Sequence, residues 1–357
     1  MKIKKEAIKR ILVLRYRSIG DIVLSYPAME ALQLTFPNAT IDIVVDDVFK
    51  DIVHGWPMVN EVICNKRKRK GIGKFASAIE DFKFNWNIFR RRYHLVVDLH
   101  CGPRSAILTL LAMAKYRLGN RHRLRNSICY NIFPPPGEKP HSVDGMLSML
   151  APLEPVIQEN KKLLLSVSES NREFINSFLS RLGITSTDRL VMVHPGARVD
   201  FKRLPPEMMG EAISWMKEKY GVKVILAGSD ADINAISTIA TAARHKCKIA
   251  TNLSIGHLVA LIDSSVLFIG NDSGPMHIAA ALNVPVIAFF GPSDPAIWGP
   301  WNVKSKVVQA PAMECMPCDQ KGCKYVPEHC MTKIKLDDVK IAIASMLEEK
   351  SAKGAVS

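Results

Sequence analysis

The sequence has 357 residues, 48% of them hydrophobic and 23% charged, which is ordinary for a soluble globular protein of two domains. Its apolar runs stay below the roughly 18 residues that a membrane-spanning helix needs. The apolar part of the N-terminal segment, ILVL, is too short for a signal peptide. We therefore expect a cytoplasmic protein.

The net charge of +14 is concentrated in the first half of the chain. Residues 1–168 hold 27 Lys/Arg and 15 Asp/Glu, a net charge of +12. Three basic runs stand out there: KRKRK (66–70), RRR (90–92) and RHRLR (121–125). Each could be solvated surface, but three in one half favour a face that meets phosphates, on an anionic membrane or an acidic ligand. No aromatic-interleaved motif supports nucleic acid as the partner.

Short apolar strands alternate with longer helical patterns along the first half of the chain. The predicted strands are ILVLRY (11–16), IDIVV (41–45), EVI (61–63) and HLVVDL (94–99). This alternation is typical of βαβ units around a parallel sheet. The proline-rich FPPPGEKP (133–140) interrupts it, and LEPVIQENKKLLLSV (153–167) predicts a linker that runs into an edge strand.

The same alternation resumes after the linker. The predicted strands, with the turns that follow them, are RLVMVHPG (189–196), KVILAGS (223–229), SVLFIGNDSG (265–274) and PVIAFFG (285–291). Near-continuous apolar strands of this kind are buried on both faces. We predict an α/β fold of two doubly wound, Rossmann-like domains, at residues 1–168 and 169–335, with a C-terminal helix and tail at 336–357.

The loops after the strands are the places to look for chemistry, because open α/β sheets bind ligands at the carboxyl ends of their strands. After the first strand comes RSIGDIVLSYPAME, in which Gly20 permits a tight turn and Asp21 begins a helix. Asp21 could cap that helix or serve as a general base.

Charged residues follow two strands of the second half. In HPGARVDFKRLPPE (194–207), Lys202 and Arg203 precede a helix, where the positive end of the dipole disfavours cations. Their side chains are either solvated or bind the phosphates of a ligand. In SDADINAI (229–236), Asp230 and Asp232 either complement a helix start or accept hydrogen bonds from a ribose.

A polar turn, NDSGPMH (271–277), interrupts the apolar run around the SVLFIGN strand. Asp272 and Ser273 could cap the following helix, and Gly274 opens the backbone. The N–H groups of Met276 and His277 could then hold a phosphate at the helix N-terminus. His277 could instead be a core histidine.

Four of the eight cysteines form a cluster with the spacing C-x2-C-x4-C-x6-C. Three states stay open for them: a structural zinc site, reduced thiols or disulfides. A catalytic metal is not expected. The cluster consists of Cys315, Cys318, Cys323 and Cys330.

Taken in order, these motifs resemble glycosyltransferase family 9, the lipopolysaccharide heptosyltransferases. The matching pieces are RSIGDIVLSYPAMEAL, HPGARVDFKRLPPE, NDSGPMHIAAALNVPVIAFFGPSDPAIWGPW and CMPCDQKGCKYVPEHCMTKI, spread over residues 10–345. The resemblance implies a GT-B architecture, in which two Rossmann-like domains face each other across a cleft. It implies that the first domain binds the acceptor and the second the nucleotide-sugar donor. It also implies an inverting transfer that requires no cofactor.

The resemblance also suggests roles for single residues. Asp21 matches the family's proposed catalytic base, Lys202 matches a lysine that contacts donor phosphates, and Asp232, or else Asp230, falls where an acidic residue meets the ribose. The donor diphosphate turn, usually Asp-Thr/Ser-Gly-x-x-His, corresponds to Asp272, Ser273, Gly274, Met276 and His277. No acceptor-binding residue can be assigned in this way.

The resemblance further implies a set of partners. These are ADP-heptose, an anionic glycolipid acceptor and the inner-membrane surface. The sequence does not show the oligomeric state, and a monomer is the simplest expectation. One departure concerns Gly196 and Ala197, which stand where some heptosyltransferases have threonines, so another sugar nucleotide stays possible as the donor. A nucleotide-sugar epimerase of the same layout is the second hypothesis.

Overall fold

The computed structural model describes residues 3–66, 74–120, 128–137, 141–244, 247–316, 318 and 320–348. The chain divides into two compact units, Met1–Ser166 and Val167–Ser357. The domain boundary that the sequence predicts, at residue 168, is two residues further along. Of the basic runs, residues 67–70 and 121–125 lie outside the described part, as does the tail beyond residue 348.

The first unit contains a five-stranded parallel sheet in the order β3-β2-β1-β4-β5. Because the order reverses beside β1, the carboxyl ends of β1 and β4 lie at the topological switch point. The strands are β1 (Arg10–Leu14), β2 (Thr40–Asp46), β3 (Val59–Asn65), β4 (Leu95–Asp98) and β5 (Tyr116–Leu118). The described helices are α1 (Ile19–Val23), α2 (Tyr26–Thr35), α3 (Lys50–Val53), α4 (Lys74–Arg90), α5 (Pro103–Leu111) and α6 (Ser142–Met149).

The second unit contains a six-stranded parallel sheet in the order β11-β10-β9-β6-β7-β8. Its switch point lies between β6 and β9. The strands are β6 (Leu190–His194), β7 (Lys223–Gly228), β8 (Lys248–Thr251), β9 (Leu267–Asn271), β10 (Val286–Phe290) and β11 (Ser305–Gln309). The described helices are α7 (Glu169–Arg181), α8 (Pro206–Tyr220), α9 (Ile233–Ala242), α10 (Ile255–Asp263), α11 (Gly274–Ala281), α12 (Pro295–Trp298) and α13 (Leu336–Leu347).

The central strands explain why the chain folds this way. Every residue of β9 and β10 is buried, and Phe268, Phe289 and Phe290 are among the largest fully buried side chains. Strands that are apolar on both faces need helices on both sides of the sheet, which the βαβ connections supply. The predicted fold class, two doubly wound Rossmann-like α/β domains, is confirmed.

Two segments outside these sheets also bear on the predictions. The C-terminal helix α13 packs into the core of the second unit, where Val339 and Ile343 join the buried cluster around Val193. The edge strand predicted within 153–167 is wrong, because this segment forms a short 3-10 turn and then coil, outside either sheet. Among the described residues, none of the helices has both the length and the apolar character needed to cross a bilayer.

Candidate active site

Asp21 lies in the first turn of α1, just after the loop that follows β1. Its Oδ2 atom accepts hydrogen bonds from the Ser18 backbone N–H (3.3 Å) and the Ser18 hydroxyl (3.1 Å). These bonds form the helix cap that the sequence left open as one role. The Asp21 side chain is also 29% exposed, so the carboxylate still reaches solvent and a role as base stays compatible with capping.

Arg15 holds Asp21 in place and was not identified from the sequence. Its Nη2 lies 2.6 Å from Asp21 Oδ1, and its Nε donates a hydrogen bond to the Asp21 carbonyl oxygen (3.2 Å). A third nitrogen, Nη1, donates to the carbonyl oxygen of Leu99, the residue after β4. One guanidinium, 10% exposed, therefore joins the carboxyl ends of β1 and β4 at the switch point.

His100 is a second residue at this edge that sequence reasoning missed. It follows β4, and Asp98 fixes its loop by accepting a hydrogen bond from the His100 N–H (2.9 Å). The imidazole packs edge-on against the ring of Tyr16, with 5.4 Å between centroids. Burial, and then the charge of Arg15, lower the pKa of His100, while the charge of Asp21 acts in the opposite direction. A neutral imidazole therefore accompanies the carboxylate.

In the second unit, Lys202 and Asp272 come together from two loops. Lys202 ends a 3-10 turn, Asp200–Lys202, after β6, and Asp272 follows β9 directly. Lys202 Nζ lies 2.7 Å from Asp272 Oδ2, with the side chains 13% and 11% exposed. Ser293 also donates a hydrogen bond to that oxygen (2.5 Å). The pairing places an ammonium group at the carboxyl edge of the second sheet, beside the start of α11.

The first turn of α11 differs in detail from the predicted phosphate turn. Ser273 is the N-cap residue, yet its side chain makes no cap hydrogen bond, and its Oγ is buried without a hydrogen-bond partner among the described residues. The Met276 N–H donates to the Ser273 carbonyl oxygen (3.2 Å), and its contact with a phosphate stays a prediction. Gly274 is the first residue of the helix, where an N–H has no partner within the helix itself. His277 is buried in the same turn.

Asn271, the last residue of β9, fixes the loop that carries Lys202. Its Oδ1 accepts a hydrogen bond from the Leu204 N–H (3.0 Å), and its Nδ2 donates to the Pro195 carbonyl oxygen (2.7 Å). The side chain is completely buried, so both bonds are made away from water. Gly196 lies in the same loop, where a Cβ atom would come within 2.7 Å of the His194 ring, so a side chain there has no room.

Asp232, which is buried, forms an ion pair with the partly exposed Arg203 at this edge. Arg203 Nη2 lies 3.1 Å from Asp232 Oδ1. Asp232 Oδ2 accepts hydrogen bonds from the N–H (2.9 Å) and hydroxyl (2.7 Å) of Ser229. Both carboxylate oxygens are thus engaged in capping and in positioning Arg203, and the ribose contact stays a prediction. Asp230, the other candidate, is exposed.

Buried polar atoms without a hydrogen-bond partner gather at this edge of the second sheet. Within the described residues they include His194 Nδ1, Arg203 Nε, Ser273 Oγ and His329 Nδ1. His194 ends β6, Arg203 lies in the loop after it, Ser273 follows β9, and His329 precedes the 3-10 turn that packs near the end of β10. Burial lowers the pKa of both histidines, so their rings are neutral. Orphaned polar groups are rare in folded proteins, and a cluster of them indicates a place where a polar ligand completes the hydrogen bonds.

His329 brings the cysteine cluster to this edge. It precedes a 3-10 turn, Cys330–Lys333, and the charge of Asp200 acts on its imidazole. A Cβ atom on Gly291, just after β10, would lie 2.8 Å from Cys330 Sγ, so the segment packs closely against the end of that strand. Sequence reasoning missed His329 and His194, because a single histidine has no spacing to identify it.

The sequence leaves three states open for the four cysteines, and a structural zinc site is one of them. Burial, with smaller contributions from the other three cysteines, raises the pKa of Cys330, so those three lie within electrostatic range of Cys330. All four are free thiols in this structure. The described part of the chain contains no group of three or more His, Cys, Asp or Glu side chains placed to hold a metal ion. The sulfurs share a neighbourhood without converging on one point.

Comparison with known proteins identifies the family. Residues 82–329 match the sequence profile of glycosyltransferase family 9 (heptosyltransferase). The chain belongs to glycosyltransferase family 9. As a member of that family, it is an enzyme that transfers sugars, and this assignment takes precedence over the epimerase hypothesis.

Relatives within family 9 match most of the chain. Lipopolysaccharide heptosyltransferase 3 of Escherichia coli strain K12 is 29% identical over 293 residues, which cover 79% of this chain and 83% of that protein. The crystal structure of a family 9 glycosyltransferase from Veillonella parvula superimposes with a TM-score of 0.84 at 26% identity, over 97% of this chain and 99% of that one. The E. coli heptosyltransferase WaaC, solved with ADP, has a TM-score of 0.74 at 20% identity, over 94% and 99% of the two chains.

Proposed function

We propose that this family 9 enzyme transfers a heptose from an ADP-activated donor to an anionic lipopolysaccharide core acceptor, with inversion at the anomeric carbon. The observation that carries the proposal is the anion-receptive edge of the second sheet. There the Lys202 ammonium and the buried Ser273 hydroxyl lie beside the start of a helix. The names of the relatives, lipopolysaccharide heptosyltransferases, support the sugar and the acceptor class.

We assign three residues to the donor diphosphate: Lys202, Ser273 and Gly274. The N-terminus of α11 carries the positive end of the helix dipole, and Lys202 adds a full charge. When the bond between the anomeric carbon and the diphosphate oxygen breaks, negative charge develops on that oxygen. Donors already aimed at this position stabilise the charge without reorganisation. The ADP bound to WaaC supports adenosine as the nucleoside.

Asp21 is the group that we assign to the acceptor. Its carboxylate takes the proton from the attacking hydroxyl as the new bond to the anomeric carbon forms, so one bond forms, one breaks, and ADP leaves. Arg15 fixes one carboxylate oxygen, and the neutral imidazole of His100 supplies a second hydrogen-bonding group on the same edge. We further propose that the enzyme works at the cytoplasmic surface of the inner membrane, where its acceptor lies.

The test measures transfer from ADP-heptose to a lipopolysaccharide core acceptor with purified enzyme. Asp21→Asn keeps the shape of the side chain but removes its basicity, and we expect kcat to fall by about 10²- to 10⁴-fold. Lys202→Met removes the charge opposite the leaving group, with an expected loss of about 10²- to 10³-fold. Lys306→Met, which removes an exposed lysine on β11, is the matched control and should leave kcat unchanged.

The same preparation tests the identity of the donor. We expect ADP to raise the melting temperature more than UDP or GDP, and Lys202→Met to reduce that shift. Wild-type transfer rates in Asp21→Asn would refute the role of the base. A larger shift with UDP or GDP would refute the adenosine assignment. Epimerisation of the donor without an acceptor would favour the epimerase hypothesis.

A further inference from the structure

Helices α4 and α5 lie side by side on one face of the first sheet. α4 connects β3 to β4 and α5 connects β4 to β5, so both crossovers advance in the same direction along the sheet. Right-handed connections of this kind put both helices on the same face. Their inner sides are buried: Ile88 of α4 and Leu108 of α5 pack in one cluster with Leu12 and Val96 of the sheet.

The outer side of α4 is also apolar, which is unusual for a surface helix. Ile79, Phe82, Trp86 and Phe89 recur at intervals of three or four residues and so form one stripe, on the side opposite the buried Ile88. Phe82 is 67% exposed and Trp86 50% exposed. The Phe82 and Trp86 rings stack at 6.3 Å between centroids, and the Trp86 and Phe89 rings lie 5.4 Å apart. The result is a continuous aromatic ridge facing solvent.

The neighbouring helix α5 extends this surface. Ile107, Leu110 and Leu111 are exposed on it, and Met113 in the following turn is 70% exposed. Eight of the 21 exposed large hydrophobic side chains in the described part of the chain belong to these two elements and that turn. Such a concentration differs from the single exposed apolar residues that any protein surface carries, and it indicates an interaction surface.

Exposed basic residues are frequent in the segment that carries this apolar surface. Five exposed cations lie between residues 76 and 116, against two exposed carboxylates, Glu80 and Asp81. In the sequence, the basic runs at 66–70 and 121–125 flank the same segment. The five exposed cations are Lys83, Arg90, Arg92, Arg104 and Lys115.

We infer that the outer surface of α4 and α5 is a membrane-docking face that inserts into the headgroup region of an anionic bilayer. Tryptophan and phenylalanine favour the membrane interface, and arginine and lysine reach anionic headgroups while their stems stay apolar. A second copy of this chain fits less well, because a two-fold interface would set the same cations against each other. The inference rests on the proposed function, whose glycolipid acceptor lies in such a membrane.

Binding of the full-length chain to vesicles tests this inference. Vesicles of phosphatidylethanolamine and phosphatidylglycerol provide the anionic surface, and vesicles of phosphatidylcholine the neutral one. The variant Phe82→Ser/Trp86→Ser removes the centre of the ridge, and we expect about ten-fold or greater loss of binding to anionic vesicles, since binding scales with buried apolar area. Ile341→Ser, at a 67% exposed position on α13 of the second unit, is the matched control and should bind as the parent does.

A charge variant and a second apolar variant keep the test independent of one substitution. Lys83→Glu/Arg90→Glu should weaken binding to anionic vesicles about ten-fold, and most strongly at low salt, because screening reduces the attraction of the parent. If Phe82→Ser/Trp86→Ser melts below the parent, Ile107→Ser/Met113→Ser, on α5 and in the turn after it, replaces it, with the same loss of binding expected.

Two results would overturn the inference. One is binding of the folded ridge variants at the parent's affinity. The other is a change of oligomeric state without a change of binding: the parent dimerises in sedimentation, the ridge variants are monomeric, and both bind vesicles equally. That result would make the face an interface between copies. The vesicle assay contains neither donor nor acceptor. A chain that binds vesicles through this face but transfers no heptose would therefore contradict only the proposed function.

Discussion

At the scale of single residues, the candidate site depends on side chains that connect one loop to another. Arg15 ties the loop after β1 to the loop after β4, and Asn271 ties the end of β9 to the loop that carries Lys202. Neither residue needs to touch a substrate for the site to require it. Arg15 fixes Asp21, and Asn271 fixes the loop of Lys202; under the proposed function, such fixed geometry favours transfer.

Arg15→Met should separate positioning from binding. The substitution keeps an apolar stem but removes the Arg15 donors from Asp21 Oδ1, the Asp21 carbonyl oxygen and the Leu99 carbonyl oxygen. We expect a loss of about 1–3 kcal/mol in the free energy of unfolding, and about a ten-fold or greater fall in kcat with an unchanged KM for the donor. Urea unfolding and steady-state kinetics measure these effects. Arg172→Met, which breaks a more exposed pair with Asp263, is the control; equal losses in both variants would contradict the role of Arg15.

His194 should make the free energy of unfolding depend on pH. Burial lowers its pKa in the folded state below the value of about 6.5 expected for the unfolded chain, so the unfolded chain binds the proton more readily. The stability that depends on neutral His194 is complete above about pH 6.5 and is lost as the pH falls below it. Between about pH 7 and pH 5, the urea midpoint of His194→Asn should therefore change less than that of the parent. His54→Asn, at an exposed position, should follow the parent curve; an equally steep curve for His194→Asn would refute the assignment.

At the scale of elements, close packing of helices explains why one helical glycine has no room for a Cβ atom and another has ample room. Gly210 lies in α8, where a Cβ atom would come within 2.4 Å of Ala242 Cβ and 2.7 Å of the Ile239 carbonyl oxygen in α9. Gly145 lies in α6, where a Cβ atom would meet nothing within 4 Å. The first glycine sets the distance between two helices, and the second only adds freedom to the unfolded chain.

Alanine at these two positions should act in opposite directions. Gly145→Ala should raise the free energy of unfolding by about 0.5–1 kcal/mol, because alanine favours the helix and restricts the unfolded chain. Gly210→Ala should lower it by about 1–3 kcal/mol, because the added methyl group forces two helices apart. Urea unfolding of both variants checks the pair. A stabilising Gly210→Ala would show that α8 and α9 can move apart without cost.

At the scale of the whole molecule, the central strands and the order of the units follow from sequence patterning, whereas the sheet edges do not. Strands β9 and β10 are apolar on both faces and were predicted. Strands β5, β8 and β11 contain Arg117, Lys248 and Lys306 and are partly exposed, so they lack the apolar run that identifies a strand. Tertiary pairing with a neighbouring strand stabilises them, and such pairing is not visible in a local window.

The candidate site was predictable in part for the same reason. Loops after buried strands can be located from the sequence, which led to Asp21, Lys202 and Ser273. Which side chains meet is set by the sheet order, so the pairing of Lys202 with Asp272 across 70 residues could not be read from spacing. The close approach of Arg15 to Asp21 was missed for a different reason, since an arginine next to a strand has no distinctive pattern.

The contact between Lys202 and Asp272 has a consequence for turnover. Under the proposed function, Lys202 exchanges its carboxylate counter-ion for the donor diphosphate, so Asp272 lowers the affinity for the product ADP and limits product inhibition. Asp272→Asn should hold ADP about ten-fold more tightly and release it more slowly, since one tenfold change corresponds to about 1.4 kcal/mol. Inhibition constants for ADP in the two proteins would measure this, and an unchanged constant would mean that the carboxylate serves only to position the lysine. If Asp272 competes with the product ADP for Lys202 in this way, ADP would leave the site more readily after each transfer.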